Sequence, residues 1–385
     1  AAKVLALNNI KVMLAHSFVT TPMISLAVVQ RNASLGVVIT ASHNPPSYNG
    51  YKLKGDFGGP LLPDDVEIVE SLIPDKCNLD FSGVQIKDFI VKKIIEVVDL
   101  EATYFEHAKA CFDLDLINNS KLNFAYDAMY GAGRKIISSL LPNAKLLHCN
   151  NNPGFNGVAP EPIHRNLKEF SQLIKNSDID CGLATDGDAD RIGLYDSEGN
   201  FVDAHHIILL LIHYLVKYKN WHGKIVTAFS CSVKVAQMCK YYNLDHEIVK
   251  IGFKHIAGKM ITEDVLLGGE ESGGIATKGH IPERDGLWMG LILFEFMAKS
   301  GKKLKDLINE VYDIVGSFAF ERIDLHLDNT KKLKIIDDCK NNHYRTFGKY
   351  KVQRVETVDG YKFFFDDNKW LMIRPSGTEP VLRTY

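Results

Sequence analysis

The residues of this sequence that are best suited to chemistry begin with an aspartate-rich segment. Asp186, Asp188 and Asp190 alternate with two small residues and directly follow a buried-strand pattern, so their side chains can converge on one hard cation. An EF-hand loop begins in the same way but needs glycine sixth and glutamate twelfth, where this chain has Arg191 and Ser197. Magnesium fits better, because it uses few protein carboxylates and leaves coordination sites for a phosphate or a nucleophile.

A second segment places a hydroxyl and an imidazole directly after an apolar strand pattern. Residues 35–39 read LGVVI, and Ser42 and His43 follow shortly afterwards, ahead of Pro45 and Pro46. A simple turn needs only glycine, asparagine or proline. The segment therefore indicates a candidate nucleophile with an imidazole beside it.

A third segment, residues 374–380, reads RPSGTEP and follows another short apolar strand pattern. The guanidinium of Arg374, the hydroxyls of Ser376 and Thr378 and the backbone N–H of Gly377 suit a phosphate dianion. On spacing alone, a turn with Thr378 as a helix N-cap is equally consistent.

A fourth segment, residues 269–274, reads GEESGG and offers carboxylates and a hydroxyl on a flexible backbone. Glu270 and Ser272 can accept and donate hydrogen bonds to sugar hydroxyls, although glycine-rich polar loops are common. Residues 280–286 lie close behind and add cationic groups.

Composition narrows the function classes. The 385 residues carry a formal net charge of −2, and no basic excess or polybasic run indicates nucleic acid or a membrane surface as a partner. The longest apolar run, residues 207–212, is far too short to span a bilayer. Seven cysteines without a C-x-x-C pair fit reduced thiols in a cytoplasmic protein and argue against zinc.

Two nucleotide-binding patterns are not supported. Gly131 and Gly133 follow a strand pattern, but Ile136 stands where the third glycine of a dinucleotide fingerprint belongs. No Walker A sequence is present. His205 and His206 lie in an apolar helix pattern, and we interpret them as structural histidines with satisfied hydrogen bonds rather than as ligands.

The order of the elements predicts an α/β protein: three α/β domains with mixed, mostly parallel sheets, followed by a C-terminal α+β domain. The expected domains are 1–98, 99–200, 201–316 and 317–385. In each of the first three, a short apolar strand leads directly into a polar loop, and ligand sites of open α/β sheets lie at the carboxyl ends of strands. The three loops are therefore expected to form walls of one central cleft.

Local signals predict two helices in the first domain. A helix begins at Thr20, whose hydroxyl can cap it, and runs to about Asn32. A second helix lies between Pro63 and Pro74. Its apolar residues recur at helical spacing and give it one apolar face, made of Val66, Ile68, Val69, Leu72 and Ile73.

Taken together, four motifs resemble those of the α-D-phosphohexomutases, the family of phosphoglucomutase and phosphomannomutase. They are, in order, TASHNPPSYNGYK, DGDADR, GEESGG with GHIPERDG, and RPSGTEP. The resemblance covers nearly the whole chain and implies four domains around a central cleft. It also implies an isomerase that interconverts hexose 1-phosphate and hexose 6-phosphate, of glucose or mannose, through a phosphoserine and a hexose 1,6-bisphosphate. Small-molecule hexose phosphates are the implied partners, and the oligomeric state is left open.

The resemblance assigns roles to the residues that could do chemistry. Ser42 looks like the serine that carries the phosphoryl group, since a neutral hydroxyl needs activation by a base or a metal to act as a nucleophile. Asp186, Asp188 and Asp190 resemble the Mg²⁺ ligands of the family, with an oxygen of phosphorylated Ser42 completing the site.

Proton transfer and substrate binding fall to further matched positions. His43 and Lys52 match the positions beside the serine, and we favour Lys52 for proton transfer. The other expected contacts with the substrate or its phosphoryl group are Arg191, Lys254, Glu270, Ser272, His280, Arg284, Arg374, Ser376, Gly377 and Thr378.

Three alternatives stay open. A Mg²⁺-dependent sugar phosphatase would use the same serine and metal, with water intercepting the phosphoenzyme. A non-catalytic sugar-phosphate binder is disfavoured, because Ser42 and the three aspartates are all present. An amino-sugar phosphate mutase belongs to the same family, although GEESGG favours glucose or mannose by resemblance. Family members usually begin with a Thr-Ser-Gly-x-Arg-Gly-like segment, so we expect the first domain of this chain to be N-terminally incomplete.

Overall fold

A computed structural model describes residues 1–77, 79–375 and 381–385 and divides the chain into two compact units. The first unit contains Ala1–Phe201 and Gly279–Lys303, and the second contains Val202–Lys278 and Leu304–Tyr385. Residues Gly279–Lys303, which the sequence analysis places in the third domain, thus cluster with the first two.

The N-terminal part of the first unit contains two small sheets with helices between their strands. Strands β1 and β4 pair in parallel, and β2 and β3 pair antiparallel. The elements are α1 (Ala2–Leu7), β1 (Val12–Ala15), α2 (Thr21–Gln30), β2 (Leu35–Ile39), β3 (Tyr51–Gly55), α3 (Pro63–Ser71), α4 (Ile86–Val91) and β4 (Ile95–Val98).

The two helices predicted here form, but one of them does not bury its apolar face. Thr20 caps α2, because its hydroxyl accepts a hydrogen bond from the backbone N–H of Met23, and the helix ends two residues earlier than expected. By contrast, no residue of α3 is buried by the described part of the chain, and Leu72, just after this helix, is 75% exposed. Helical spacing shows which residues share a face, but it does not show that the face is covered.

The second part of the first unit is a five-stranded mixed sheet with the order β6-β5-β7-β8-β9. Strands β5, β6 and β7 are parallel, and β8 returns antiparallel to β7. The elements are α5 (Leu100–Cys111), α6 (Leu114–Asn118), β5 (Phe124–Asp127), α7 (Ile137–Leu140), β6 (Lys145–Leu147), α8 (Lys168–Lys175), β7 (Cys181–Thr185), β8 (Ile192–Asp196) and β9 (Phe201–Val202), with short 3₁₀ turns at Ala132–Arg134, Phe155–Gly157 and His164–Asn166.

Helices cover this sheet on both faces. Phe170 and Ile174 of α8 pack in one core cluster with Tyr195. Helix α12 (Gly286–Ser300), which comes later in the chain, packs against β7 and β8. Its Phe294 stacks on Phe124 with 4.1 Å between ring centroids. The sheet is therefore buried on both sides, as the continuous apolar pattern of β7 indicates.

The second unit contains three further sheets, one of which is the two-stranded antiparallel pair β15–β16. Strands β10, β11 and β12 are parallel and β13 is antiparallel, whereas the C-terminal sheet β14-β20-β19-β18-β17 is antiparallel throughout. The elements are α9 (Ala204–His213) with a π-turn at Tyr214–Tyr218, β10 (Lys224–Ala228), α10 (Lys234–Tyr242), β11 (His246–Val249), α11 (Phe253–Thr262), β12 (Val265–Gly269), β13 (Ile275–Thr277), α13 (Leu304–Val315), β14 (Ile323–His326), α14 (Asn329–Lys340), β15 (Thr346–Phe347), β16 (Tyr350–Lys351), β17 (Arg354–Glu356), β18 (Tyr361–Phe364), β19 (Trp370–Pro375) and β20 (Val381–Thr384).

Two expectations for this unit need correction. Apolar patterns in the sequence predict strands at 318–327 and 350–358, but the strands that form are shorter: Ile323–His326 in the first range, and Tyr350–Lys351 and Arg354–Glu356 in the second. The two structural histidines differ: His206 contacts Asp203 and Tyr312 through its two ring nitrogens. His205 accepts a hydrogen bond from the backbone of Ser232 at Nδ1, but its buried Nε2 has no partner in the described part of the chain. No helix among the described residues has the length and apolarity that crossing a membrane requires.

The second unit also buries a lysine. Lys362 on β18 donates hydrogen bonds from Nζ to the carbonyl oxygens of Phe229 (3.0 Å) and Cys231 (2.9 Å), in the turn that follows β10. The same nitrogen lies 3.9 Å from the ring centroid of Trp370. Burial lowers the pKa of Lys362 from 10.5 to about 8. The lysine therefore ties the C-terminal sheet to the loop after β10 while it is charged.

This buried lysine predicts a dependence of stability on pH. Because the folded pKa lies below the unfolded one, the folded state binds fewer protons between pH 8 and 10.5, and stability rises with pH in that range. Relative to Lys362→Met, the wild-type free energy of unfolding should increase by up to about 3 kcal/mol across it. Urea unfolding at several pH values measures this, with Lys351→Met, at an exposed lysine, as the control. A difference between wild type and Lys362→Met that is constant with pH would contradict the prediction.

Candidate active site

The β2–β3 hairpin positions the candidate nucleophile and a lysine together. Ser42 follows β2, and Lys52 on β3 pairs in register with Val38. Ser42 has a φ of 53°, a left-handed conformation that is rare for a residue with a side chain, and its N–H donates to Thr40 Oγ1 (2.8 Å). Such strained backbone conformations occur preferentially at functional sites.

The predicted metal loop connects β7 to β8 and is closed on itself. Asp186 Oδ1 accepts hydrogen bonds from the backbone N–H groups of Asp190 (2.9 Å) and Arg191 (3.1 Å). Asp186, Asp188 and Asp190 are all buried, and each offers a carboxylate oxygen within 4.8 Å of the others. The loop therefore directs three carboxylates toward one point, as the alternation of aspartates with small residues predicts.

Ser42 lies directly beside this loop. Its Oγ donates a hydrogen bond to Asp186 Oδ2 (3.1 Å) and lies 3.3 Å from His43 Nδ1. A Cβ atom added at Gly187 would lie only 2.3 Å from the carbonyl oxygen of Ser42. The glycine in the loop is therefore required for this close approach of the two segments.

Three cationic side chains surround the carboxylates. Lys52 Nζ lies 2.9 Å from Asp188 Oδ2 and 3.5 Å from Asp190 Oδ2. Arg284 donates to Asp190 Oδ2 (2.5 Å), and Arg191 Nε lies 3.9 Å from Asp186 Oδ2. The first unit thus brings together the predicted residues Ser42, His43, Lys52, Asp186, Asp188, Asp190, Arg191 and Arg284.

The donor set fits a divalent cation such as Mg²⁺. Oδ1 of Asp188 and Oδ1 of Asp190 are buried and have no hydrogen-bond donor among the described residues. Unsatisfied buried carboxylate oxygens are costly, and a hard cation is the ligand that such oxygens prefer.

The charges at this site follow from burial and from neighbouring groups. Burial raises the pKa of Asp186, and Asp190 and Asp188 raise it further. Burial opposes the charge of Lys52, but Asp190 and Asp188 outweigh it and raise the pKa of that lysine. Burial, with the charge of Arg191, lowers the pKa of His43 to about 4. At neutral pH, His43 is therefore uncharged and Lys52 is a cation, so His43 can accept a proton and Lys52 can donate one.

Sequence reasoning missed two supports of the metal loop. Thr21, which it treated only as part of a helix start, donates from Oγ1 to Asp188 Oδ2 (2.7 Å). The second support is the segment around Gly131 and Gly133, which lacks the third glycine of a dinucleotide fingerprint and packs against the metal loop. The N–H of Ala132 donates a hydrogen bond to the carbonyl oxygen of Gly187 (2.8 Å). A Cβ at Gly131 would lie 2.8 Å from the carbonyl oxygen of Asp186. Gly131 and Gly133 were the sequence signal that could have indicated this contact. They allow close packing of the two segments and do not form a nucleotide-binding motif.

His280 also lies in the first unit. Its side chain is buried, and both ring nitrogens contact other side chains: Nδ1 contacts His107 and Nε2 contacts Asp285. The neighbouring Glu283 forms a buried ion pair with Lys54, a contact that sequence reasoning also missed.

The remaining predicted site residues that are described lie in the second unit. Glu270 Oε1 accepts a hydrogen bond from the N–H of Gly252 (3.0 Å), two residues before the exposed Lys254. Ser272 lies in the same loop and is partly exposed. Ser376, Gly377 and Thr378 lie outside the described residues.

Asp359 links two segments of this unit that the sequence predicts to bind the substrate. Its Oδ1 lies 3.2 Å from Arg374 Nε, and its Oδ2 accepts a hydrogen bond from the N–H of Ile251 (2.9 Å). The predicted phosphate-binding arginine is thereby connected to the turn that also contacts Glu270. The sequence analysis assigned no role to Asp359.

Comparison with known proteins identifies the family. Models of the phosphoglucomutase/phosphomannomutase α/β/α domains I, II and III match residues 1–78, 102–199 and 203–315, and the model of the C-terminal domain matches 325–385. The chain therefore belongs to the phosphoglucomutase/phosphomannomutase family, the α-D-phosphohexomutases, as the four motifs indicated. It is a mutase, an enzyme of the isomerase class, and the predicted fold class is confirmed.

Individual relatives agree on the family but differ in the sugar they are named for. A phosphoglucomutase/phosphomannomutase of Thermococcus kodakarensis is 32% identical over 374 residues, which cover 95% of this chain and 77% of that protein. A phosphoglucosamine mutase of Methanococcus maripaludis is 31% identical over 380 residues, covering 95% and 79%. A crystal structure from Thermus thermophilus, provisionally assigned as a phosphomannomutase, has a TM-score of 0.83 and 29% identity, covering 97% and 79%.

The contact between Gly187 and Ser42 predicts the effect of one added methyl group. In Gly187→Ala the Cβ would clash with the Ser42 carbonyl and lie 3.2 Å from Pro160 Cγ, so the serine loop must shift. Mutase activity should fall at least 10-fold, with a loss of about 1–3 kcal/mol in stability. The control is Gly154→Ala, where the nearest atom to the added Cβ is 3.5 Å away, and it should match the wild type in both assays. Wild-type activity in Gly187→Ala would contradict this account of the loop.

Proposed function

We propose that this mutase interconverts hexose 1-phosphate and hexose 6-phosphate by passing a phosphoryl group through Ser42. The observation that carries the proposal is the contact of Ser42 Oγ with Asp186, inside a group of three converging buried carboxylates. In one direction, the P–O bond to Ser42 breaks and a P–O bond to a free sugar hydroxyl forms, giving a hexose 1,6-bisphosphate. The other phosphate of that intermediate then returns to Ser42 and releases the isomeric monophosphate.

The residues of the first unit would act on the phosphoryl group. Asp186, Asp188 and Asp190 would hold Mg²⁺, which supplies neutralisation of the charge on the transferring group. Lys52, Arg191 and Arg284 are cations at the same place and stabilise that charge directly. His43, which is uncharged and close to Ser42 Oγ, can accept a proton, and the cation Lys52 can donate one, so both are candidates for proton transfer.

The residues of the second unit would hold the sugar and the phosphate that is not transferred. Glu270 and Ser272 offer hydrogen-bonding groups to ring hydroxyls, and Arg374 with Ser376, Gly377 and Thr378 suits a phosphate dianion. Lys254 is exposed and available to a second phosphate oxygen. The net charge of −2 fits a small-molecule substrate better than nucleic acid or a membrane surface as partner, and a cytoplasmic location fits seven free cysteines.

The sugar has two candidates. The loop GEESGG favours glucose or mannose by resemblance, whereas several relatives are named phosphoglucosamine mutases at 27–31% identity. A glucosamine phosphate is therefore the second candidate substrate. The only observations in favour of a sugar phosphatase are the serine and the metal site, which a mutase would share. The assay below distinguishes a phosphatase from a mutase.

Phosphorus NMR tests the reaction and the sugar together. Protein, Mg²⁺ and a trace of the matching 1,6-bisphosphate are mixed with glucose 1-phosphate, mannose 1-phosphate or glucosamine 1-phosphate in parallel tubes. A 6-phosphate signal should grow in at least one tube, and the fastest tube identifies the sugar. Ser42→Ala should abolish the signal, whereas Ser47→Ala, at an exposed serine of the same loop, should not. Inorganic phosphate growing instead would identify a phosphatase, and no change in any tube would overturn the proposal.

Removal of the metal gives a separate prediction. Chelation with EDTA should abolish the conversion, because the charge on the transferring phosphoryl group would lose the cation that neutralises it. Addition of Mg²⁺ in excess should restore it. Asp188→Asn should weaken binding of Mn²⁺, measured by electron paramagnetic resonance without substrate, by at least 10-fold. Unchanged Mn²⁺ binding in that variant would exclude Asp188 as a ligand.

A further inference from the structure

The imidazole of His280 lies in an aromatic stack next to the active-site segment 283–286. Its ring is parallel to that of Trp288, with 3.8 Å between centroids and 4° between planes. The ring of His107 lies beside it, with 5.2 Å between centroids and 24° between planes, and is 5.0 Å from the same Trp288 ring. The side chain is 1% exposed. The stack therefore fixes the plane of the ring.

A chain of hydrogen bonds runs through this stack and fixes the tautomer of His280. Nε2 lies 3.0 Å from Asp285 Oδ2, and Nδ1 lies 3.1 Å from His107 Nε2. Because an ionised carboxylate only accepts hydrogen bonds, Nε2 of His280 carries the proton and donates it. Nδ1 is then free to accept from the Nε2–H of His107. Both nitrogens are used inside the protein, so His280 offers neither to a substrate.

Asp285 is held by more than His280. Its Oδ2 also accepts from the hydroxyl of Tyr104 (2.8 Å), and its Oδ1 accepts from the N–H of Trp288 (3.0 Å), which caps α12. The carboxylate is completely buried. These donors together fix its position at the start of the helix.

The two neighbours of Asp285 in sequence both contact the metal loop. Arg284 donates to Asp190 Oδ2, and the N–H of Gly286 donates to Ala189 O (3.0 Å). A Cβ at Gly286 would lie 2.3 Å from the carbonyl oxygen of Arg191, so the backbones are in close contact. A change in the position of Asp285 must therefore move Arg284 relative to Asp190.

We propose that His280 is a positioning residue of the phosphoryl-transfer site: the chain His107–His280–Asp285 holds Arg284 on the metal loop. This inference rests on the proposed function, because it assigns Arg284 to the reacting phosphoryl group. It replaces the direct substrate contact that the sequence analysis expected for His280. Its effect on the reaction passes entirely through Arg284.

A double-mutant cycle on the full chain tests the proposal. His280→Phe keeps an aromatic ring in the stack and removes both hydrogen bonds. In the wild-type background it should lower kcat about 10-fold and change KM less than 3-fold, whereas in Arg284→Ala it should lower kcat less than 2-fold further. His280→Gln, which can donate and accept, should retain more activity than His280→Phe. An equal loss in both backgrounds, or a worse Gln variant, would overturn the proposal.

A second measurement keeps the inference separate from the proposed function. Long-range ¹H–¹⁵N spectra of histidine side chains, assigned by the signal lost in His280→Phe, report the tautomer of His280 without any substrate. At pH 7.5 the Nε2–H tautomer is expected, and His107→Gln should shift its Nδ1 resonance. A protonated Nδ1 would overturn the hydrogen-bond chain even in an active enzyme. Inactivity of the wild type towards every sugar phosphate would instead overturn the proposed function.

Discussion

The mutual repulsion of three buried carboxylates is the constraint on which the active site depends. Asp186, Asp188 and Asp190 offer oxygens within 4.8 Å of one another in a protein interior, where like charges interact strongly. The chain offsets this repulsion with backbone N–H donors inside the loop and with cations from outside it. Lys52 arrives on β3, and Arg284 arrives from the segment before α12. Residues from separate parts of the first unit are thus needed to offset the repulsion between the carboxylates of one loop.

This arrangement also prepares the site for an anionic ligand. The three carboxylates lie against three cations, Lys52, Arg191 and Arg284, and the two arginines also pair with Glu161 and Glu283. A site made of carboxylates alone would repel a phosphate ester. Here the cations offset that repulsion, and two carboxylate oxygens have no hydrogen-bond donor among the described residues. Under the proposed function, the same residues would stabilise the loop without a ligand and neutralise charge when the ligand binds.

How far the sequence predicts this protein depends on the range of the interactions involved. Strand β7 and its loop were predictable, because apolar runs and alternating aspartates are local patterns and the four motifs occur in a fixed order. The role of Thr21 was not, because its partner Asp188 is far away in sequence. For the same reason the burial of His280 and its contacts with His107 escaped prediction. The exposed face of α3 shows a second limit. Its regular apolar spacing predicted the helix, but it did not predict whether other residues cover the apolar face.

The path of the chain has a consequence for synthesis on the ribosome. The first unit is interrupted by Val202–Lys278, and α12, which covers one face of its sheet, comes only afterwards. A nascent chain that ends at Phe201 would leave the side chains of Phe124 and Leu183 on that face without the partners they have in α12. One face of the sheet therefore stays uncovered until translation has passed Lys303. During that interval the unfinished unit, rather than the completed enzyme, is the form in most need of protection by chaperones.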